Sequence, residues 1–383
     1  MSFNRRQFLI GGGAILGLGT SVAARFVSGQ PVGSLSGEPR SNQALPPVKN
    51  ATNPAPIGLY APQRGDVRLV VISDMNSAYG STTYLPEVEA AVKMLPDWQP
   101  DLILCAGDMV AGQSRKLSGP QIQAMWTAFD QKILEPIRAT GLPFALTLGN
   151  HDASSYRGPD GKFVFALDRD ISNQYWNKED VGLQFVERAK FPFYYSFKQN
   201  DMFYLVWDAS SAKVSDQELA WADRALASPV AQQAKMRIVM GHLPFYAVSQ
   251  GRDRPGEILN KAEELRSLLE KHRVHTYISG HQHAYFPGRV GELEMLQTGA
   301  LGSGPRRWIG SEQPPFQTLT VVDIDLKTQA TVYTTYNMNT LQVVKIDQVP
   351  RTLVGPSGRE IRRDLTLADL TAAEQNQQYT PKN

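Results

Sequence analysis

Short apolar runs alternate with amphipathic stretches along most of this chain. The first run, residues 67–72, is apolar everywhere except Arg68, which is how a strand covered on both faces reads. Leu85, Val88, Val92 and Leu95 then recur at helical steps. Residues 102–105 form a second run, and Ile122, Trp126, Phe129, Ile133 and Ile137 mark a longer helical face. Residues 144–148 form a third run. Strand, helix, strand, helix, strand predicts a parallel or mixed sheet with right-handed crossovers. Residues 153–190 have no clear period and read as a long insertion over the strand ends. Residues 194–208 read as a hairpin turning at Gln199, Asn200 and Asp201. A helix from Asp216 past Trp221 and Leu226, an apolar run at 236–240, a helix through Leu265, Leu268 and Leu269, and a run at 274–278 follow. Beyond residue 283 the pattern is all strand, at 293–296, 318–324 and 330–336. The expected architecture is a two-layered β core flanked by helices, in one domain.

The ends of the chain depart from this pattern. Arg5 and Arg6, the apolar run Ile10 to Leu18, and the small residues Ser21, Ala23 and Ala24 give residues 1–24 the form of a twin-arginine-type signal peptide, with Asn4 where serine is usual. The apolar run is too short for a membrane span, so membrane contact is expected only through an uncleaved signal. The expected destination is the periplasm or another extracytoplasmic compartment. Residues 25–63 are rich in Pro, Gly, Ser and Asn and read as a flexible tether. Residues 64–348 carry the folded domain, and 349–383 read as a polar C-terminal tail. A hydrophobic content of 42% and a charged content of 20% are those of a soluble globular protein. The net charge of +2 belongs to the signal, because residues 25–383 hold 37 basic and 37 acidic residues. With no basic block, the chain offers no nucleic-acid patch. The single Cys105 excludes an internal disulfide and, inside an apolar run, reads as a buried thiol.

The chemistry gathers where the apolar runs end. Asp74, Asp108, Asn150, His242 and His281 each stand just past one, and in such sheets ligands bind beyond the carboxyl ends of strands. Four of the six histidines, His151, His242, His281 and His283, fall in these short polar clusters. Any one of them alone reads as a surface or core histidine; together they argue for a metal site. Carboxylates, imidazoles and an amide oxygen are mixed hard and borderline donors, suited to Mn, Fe or Zn. They are too many for one tetrahedral ion, so two ions sharing a carboxylate are expected, an arrangement that binds phosphate and acidifies a bridging water.

The blocks Asp74-Met75-Asn76, Gly107-Asp108, Gly149-Asn150-His151-Asp152, Gly241-His242 and Gly280-His281-Gln282-His283 resemble, in order and spacing over residues 66–300, those of the calcineurin-like metallophosphoesterases. The resemblance implies a single-domain four-layer α/β/β/α sandwich around two divalent ions and no organic cofactor. It implies that Asp108 bridges the ions, that Asp74 and His283 serve the first, and that Asn150, His242 and His281 serve the second. His151 would bind the phosphate or protonate the leaving oxygen, with Asp152 orienting its ring. The implied activity is hydrolysis of a phosphomonoester or phosphodiester by a metal-bound hydroxide, with a small phosphoester or phosphorylated molecule as partner. The rival expectation is a non-catalytic or weakly active single-metal binding protein on the same fold. The run Met109 to Gly112 holds no tyrosine, which argues against the iron–tyrosinate site of purple acid phosphatases.

The first block departs from the family, with Asn76 where histidine is usual. Three readings stay open. Asn76 ligates and tilts the first site toward Mn, Mg or Ca; it only touches the ligand shell, leaving a weaker first site that fills with substrate; or the first site is lost and the protein is no longer an efficient enzyme. An extended strand would also point His281 and His283 the same way, which requires the two ions to lie side by side along the chain. Tyr79, Ser81, Thr82 and Tyr84 either line the site or cap the next helix. Arg306 and Arg307 are candidates for a second phosphate. His272 and His275 read as structural, and Trp126 and Trp221 as core.

Overall fold

The computed structural model describes residues 53–381. The expected signal peptide at 1–24 and the expected tether up to residue 52 lie outside the described residues. In chain order the elements are β1 (Val67–Ile72), α1 (Pro86–Met94), β2 (Leu102–Cys105), α2 (Gly119–Phe129), α3 (Glu135–Arg138), β3 (Phe144–Leu146), α4 (Asn150–Ala153) and α5 (Ala166–Trp176). Then come β4 (Gln184–Lys190), β5 (Tyr194–Gln199), β6 (Met202–Val206), α6 (Asp216–Ala227), α7 (Pro229–Gln233), β7 (Met236–Met240), α8 (Ala262–Lys271) and β8 (Thr276–Ser279). The last are β9 (Tyr285–Val290), β10 (Leu293–Thr298), β11 (Thr318–Ile324), β12 (Thr331–Asn337), β13 (Gln342–Val343), β14 (Thr352–Gly355), β15 (Gly358–Arg362) and α9 (Ala372–Asn376).

The strands form two sheets, one of six in the order β13-β12-β11-β1-β2-β3 and one of nine in the order β14-β15-β9-β10-β8-β7-β6-β5-β4. Each has a parallel centre, β1-β2-β3 in the first and β6-β7-β8-β10 in the second. The alternation of side chains along β6 explains the layering. Met202, Tyr204 and Val206 pack with Leu69, Leu104 and Leu146 of the six-stranded sheet, in a core that also holds Val88 of α1 and Trp126 of α2. Phe203 and Leu205 point the other way, onto Trp221 and Ala225 of α6 and Leu265 and Leu269 of α8. The result is the expected sandwich of helices, two sheets and helices. No helix among the described residues is long and apolar enough to cross a membrane.

Three parts of the chain are more ordered than their composition suggests. Residues 53–63, read as the end of a tether, lie against the six-stranded sheet, where the buried Arg68 donates to the carbonyls of Pro54 and Pro62. Arg68 also forms a fully buried ion pair with Asp323 at 2.8 Å. The stretch 153–190 contains α5 and β4, and its aromatic Trp176 packs on Phe144 and Trp126. Residues from 349, read as a polar tail, contribute β14 and β15 to the nine-stranded sheet, with Leu353, Val354 and Ile361 buried. Their polar look has a physical cause: Arg363 is spent on a buried pair with Glu294 of β10 at 2.9 Å, and Glu360 is buried against Gln297.

Candidate metal centre

The two parallel centres aim their carboxyl ends at one place. Asp74 follows β1, Asp108 follows β2, Asn150 opens α4 after β3, His242 follows β7, and His281 and His283 follow β8. Asp74, Asp108 and His242 each bring a donor atom within 4.8 Å of the others, all fully buried. His242 Nε2 lies 3.3 Å from Asp108 Oδ2 and 3.0 Å from Asn150 Oδ1. His281 Nδ1 lies 2.9 Å from the same Asn150 oxygen. His283 Nε2 lies 3.1 Å from Asp74 Oδ1. The structure thus gathers Asp74, Asp108, Asn150, His242, His281 and His283.

Backbone conformation aims these groups. Asp74, Asp108, His281 and His283 all have left-handed φ angles between 50° and 66°, a region that Asp and His enter more readily than most residues. This corrects the extended-strand picture of the histidine pair. β8 ends at Ser279, and His281 and His283 stand in a turn, so their rings diverge without any constraint from strand alternation. Close approach does the rest. A Cβ on Gly149 would overlap Asp108 Oδ1, and one on Gly280 would overlap Ser73 Oγ beside Asp74.

Backbone carbonyls set the tautomers. A carbonyl only accepts, so the contacts of His242 Nδ1 to Ala106 O at 2.7 Å and of His283 Nδ1 to Gly304 O at 2.8 Å place the proton on Nδ1 in both rings. Each Nε2 is left facing the cluster, as in metal-ligating histidines. For His281 the roles reverse. Its Nδ1 faces Asn150, and its Nε2 lies 2.9 Å from Glu257 Oε2, a carboxylate–histidine pair that no motif announced. Gln113 Oε1 accepts from Asn150 Nδ2 at 2.7 Å and so turns the Asn150 oxygen toward the imidazoles; it too was invisible in the sequence.

The residues fit a cation. Asp108 Oδ2 and His283 Nε2 are buried and make no hydrogen bond; each lies close only to another candidate ligand, His242 Nε2 at 3.3 Å and Asp74 Oδ1 at 3.1 Å, an expensive condition for polar atoms unless something else binds them. The electrostatics agree. Burial pushes the His242 ring down, but the Asp108 carboxylate and then Asp74 raise it to about 9, which measures how strongly the pocket favours positive charge. Burial also opposes ionisation of Asp108, yet His242 and His151 hold it well below the carboxylate range. His281 is kept far below its ordinary value by burial first and the Arg252 guanidinium second, so it is neutral, the form that binds metal.

One expectation changes. Asp152 does not orient His151. Its Oδ1 accepts from the amides of Met109 and Val110 and its Oδ2 from that of Gly149, so it ties the loop after β2 to the start of α4. Burial and then Asp108 raise it to about 7. The ring of His151 is held instead by Gly112 O, 3.2 Å from Nδ1. Asn76 is buried, and its Nδ2 donates to Val110 O at 3.3 Å, which leaves Oδ1 as its one side-chain lone-pair donor. Of the loop that follows, Tyr79 stacks obliquely near His151 with ring centres 5.1 Å apart, Tyr84 donates to Met109 O, and Ser81 bonds Thr83. His272 bonds Asp223 and His275 bonds Thr276, both away from the centre.

A cavity of about 1130 Å³ opens beside the cluster, lined by Asn150, His151 and His281 together with Tyr156 and Phe163 from the 153–190 stretch. A family model described as calcineurin-like phosphoesterase matches residues 67–285. Among solved structures, the chain is similar to a purple acid phosphatase from yellow lupin (Lupinus luteus) seeds, with 17% identity, a TM-score of 0.53, and coverage of 73% of this chain and 52% of that one. The chain therefore spans about half the length of that protein, and the likeness is one of fold. A dimetal phosphatase from Danio rerio aligns over 73% of this chain and 98% of its own, with 12% identity and a TM-score of 0.49. No curated protein matches the sequence.

Proposed function

The chain belongs to the calcineurin-like phosphoesterase family, and from that premise we propose that it is a phosphoric ester hydrolase that cleaves small phosphoesters at a centre of two divalent ions. Asp108 would bridge them, Asp74 and His283 would hold the first, and Asn150, His242 and His281 the second. Asn76 would offer its Oδ1 to the first ion, and this harder oxygen donor favours Mn. The observation that carries the reading is the pair of buried atoms, Asp108 Oδ2 and His283 Nε2, that make no hydrogen bond and lie close only to other candidate ligands, inside a cluster that raises His242. When bound, the ions would neutralise phosphoryl oxygens and supply a hydroxide nucleophile near neutral pH.

The chain's own groups do the rest. With Nδ1 of His151 donating to Gly112 O, Nε2 is the atom left to hold or pass a proton, and His151 lines the cavity where a leaving group would stand. Asp152 ties Gly149, and hence the start of α4, to the loop after β2. Glu257 and Gln113 orient His281 and Asn150, and such partners commonly change metal affinity by about 10- to 100-fold. The test is to load the folded protein with Mn and assay an aryl phosphate and an aryl phosphodiester. Turnover is expected for at least one, and Asp108→Asn should reduce it by on the order of a hundredfold or more. No turnover with any divalent ion would sink the reading. We also read residues 1–24 as an export signal; finding the native protein wholly in the cytoplasm would overturn that.

A further inference from the structure

The cavity is larger than a single phosphate needs, since whole ligands of drug size occupy about 300–1,000 Å³. One wall carries two guanidinium groups that the chemistry above does not use, those of Arg252 and Arg306. We propose that they form a subsite for a second anionic group, a phosphate or a carboxylate, carried by the substrate beside its reacting phosphate. The proposal rests on the phosphoesterase reading and narrows it to substrates with two anionic groups.

The two arginines are fixed next to the histidine pair. Arg252 Nη1 stands 2.9 Å from both ring nitrogens of His281 and 3.3 Å from Glu257 Oε2. The backbone amide of Arg306 donates to His283 O at 2.9 Å, which pins the root of its side chain beside the second histidine. Their hydrogen-bonding capacity is largely unspent. The Arg306 side chain makes one long bond, from Nη1 to Gln250 O at 3.4 Å, and no ion pair among the described residues. The Nε atoms of both arginines are buried without a partner. Among the described residues Glu257 is the one carboxylate paired to either, and it also serves His281, so positive charge is in excess on this wall. Burial and then the charge of Arg252 hold the Arg306 guanidinium below its ordinary range.

Arg307 provides the contrast within the same loop. It is exposed, pairs with Glu312 at 3.0 Å and does not line the cavity. A planar guanidinium matches phosphate and carboxylate oxygens two at a time, and in a half-buried wall such bonds are strong. With the reacting phosphate at the metal cluster, a second anion a few bonds away reaches this pair on the His281 side.

The experiment titrates the metal-loaded full chain by calorimetry with methylphosphonate, methylenebisphosphonate and phosphonoacetate. At least one of the two doubly anionic probes should bind about tenfold or more tightly than methylphosphonate, the size of one charge-assisted bond. A gain for the bisphosphonate alone assigns a phosphate, a gain for phosphonoacetate alone a carboxylate. In Arg306→Gln the ratio should fall to within about threefold, while Arg307→Gln keeps it. Thermal melting of each variant checks folding, and Arg306→Lys, which keeps charge but loses the fork, should give an intermediate ratio. A ratio near one in the unaltered protein, or a ratio that survives Arg306→Gln, overturns the subsite. If an aryl phosphate is turned over but the ratio is near one, the subsite alone fails. If methylphosphonate does not bind at all and no phosphoester is hydrolysed, both readings fail.

Discussion

Asn76 is the proposed ligand of the first ion that stands where the family has histidine, and an amide oxygen is a harder and weaker donor than imidazole. Replacing it by histidine would add a borderline nitrogen beside His283 and Asp74. Asn76→His is therefore expected to shift preference from Mn toward Zn or Fe with little change in melting temperature. Metal competition followed by elemental analysis measures this, and unchanged stoichiometry and preference would show that Asn76 is not a ligand. A second residue-scale prediction concerns Glu218, which lines the cavity wall behind Arg169 and Asp208. Its Oε1 accepts from the Asp208 amide, and burial followed by the Asp208 charge raises it from 4.5 to about 8. The folded chain thus holds this proton more tightly than the unfolded chain. Its contribution to stability is complete below about pH 4.5 and is lost as pH rises through about 8. Glu218→Gln keeps an acceptor oxygen without the titration. The drop in melting temperature between pH 5 and pH 9 should be smaller in the variant; an equal drop in both proteins would contradict the assignment.

At the scale of elements, the site depends on how strands end. β1, β2 and β8 are each followed within a few residues by a left-handed Asp or His, and β3 by Gly149 packed on Asp108. Strain held at several positions around one point is a mark of functional sites. The strand-to-helix junction at Gly149 is the sharpest test. A methyl group there meets Asp108 Oδ1 and the Asp108 backbone, so the junction and the Asp108 carboxylate must separate. Gly149→Ala should retain its far-UV circular dichroism yet lose metal in equilibrium dialysis, with activity reduced by about a hundredfold, as for misplacements near 1 Å. Normal metal content in this variant would mean that the junction is looser than its packing indicates. The apolar runs and helical stripes made the strands and helices around these junctions readable in advance. Their turns were not, since positive φ at a non-glycine residue leaves no pattern in a single sequence.

At the scale of the whole molecule, the C-terminal segment closes the nine-stranded sheet. β15 pairs with β9, and Arg363 neutralises the buried Glu294 of β10. Cutting the chain after residue 348, the boundary that composition suggests, would expose the β9 edge and strand Glu294. Removing one partner of a buried pair costs about 3–5 kcal/mol, so the shortened protein should melt markedly lower or precipitate on expression. A truncated protein as stable as the full chain would mean that the segment is peripheral after all. Both this segment and the 153–190 stretch are polar because their charges are used inside the fold, as Arg169 is on Asp208 at 2.8 Å.

By itself the sequence determined which donors this protein owns and which strands carry them, because strand periodicity and polar run-ends are local properties. It also determined the family, through five ordered blocks. Only the tertiary structure decided what each donor faces. Asp152 and His151 are neighbours in the chain, yet the first is consumed by three backbone amides and the second by Gly112 O. Glu257 and His281 are 24 residues apart and meet at 2.9 Å. Arg306 and Arg307 are adjacent, and one lines the cavity while the other pairs with Glu312 at the surface. Such pairings depend on how loops from both sheets close over one edge. That closure is fixed by packing and charge between distant segments, and no local pattern records it.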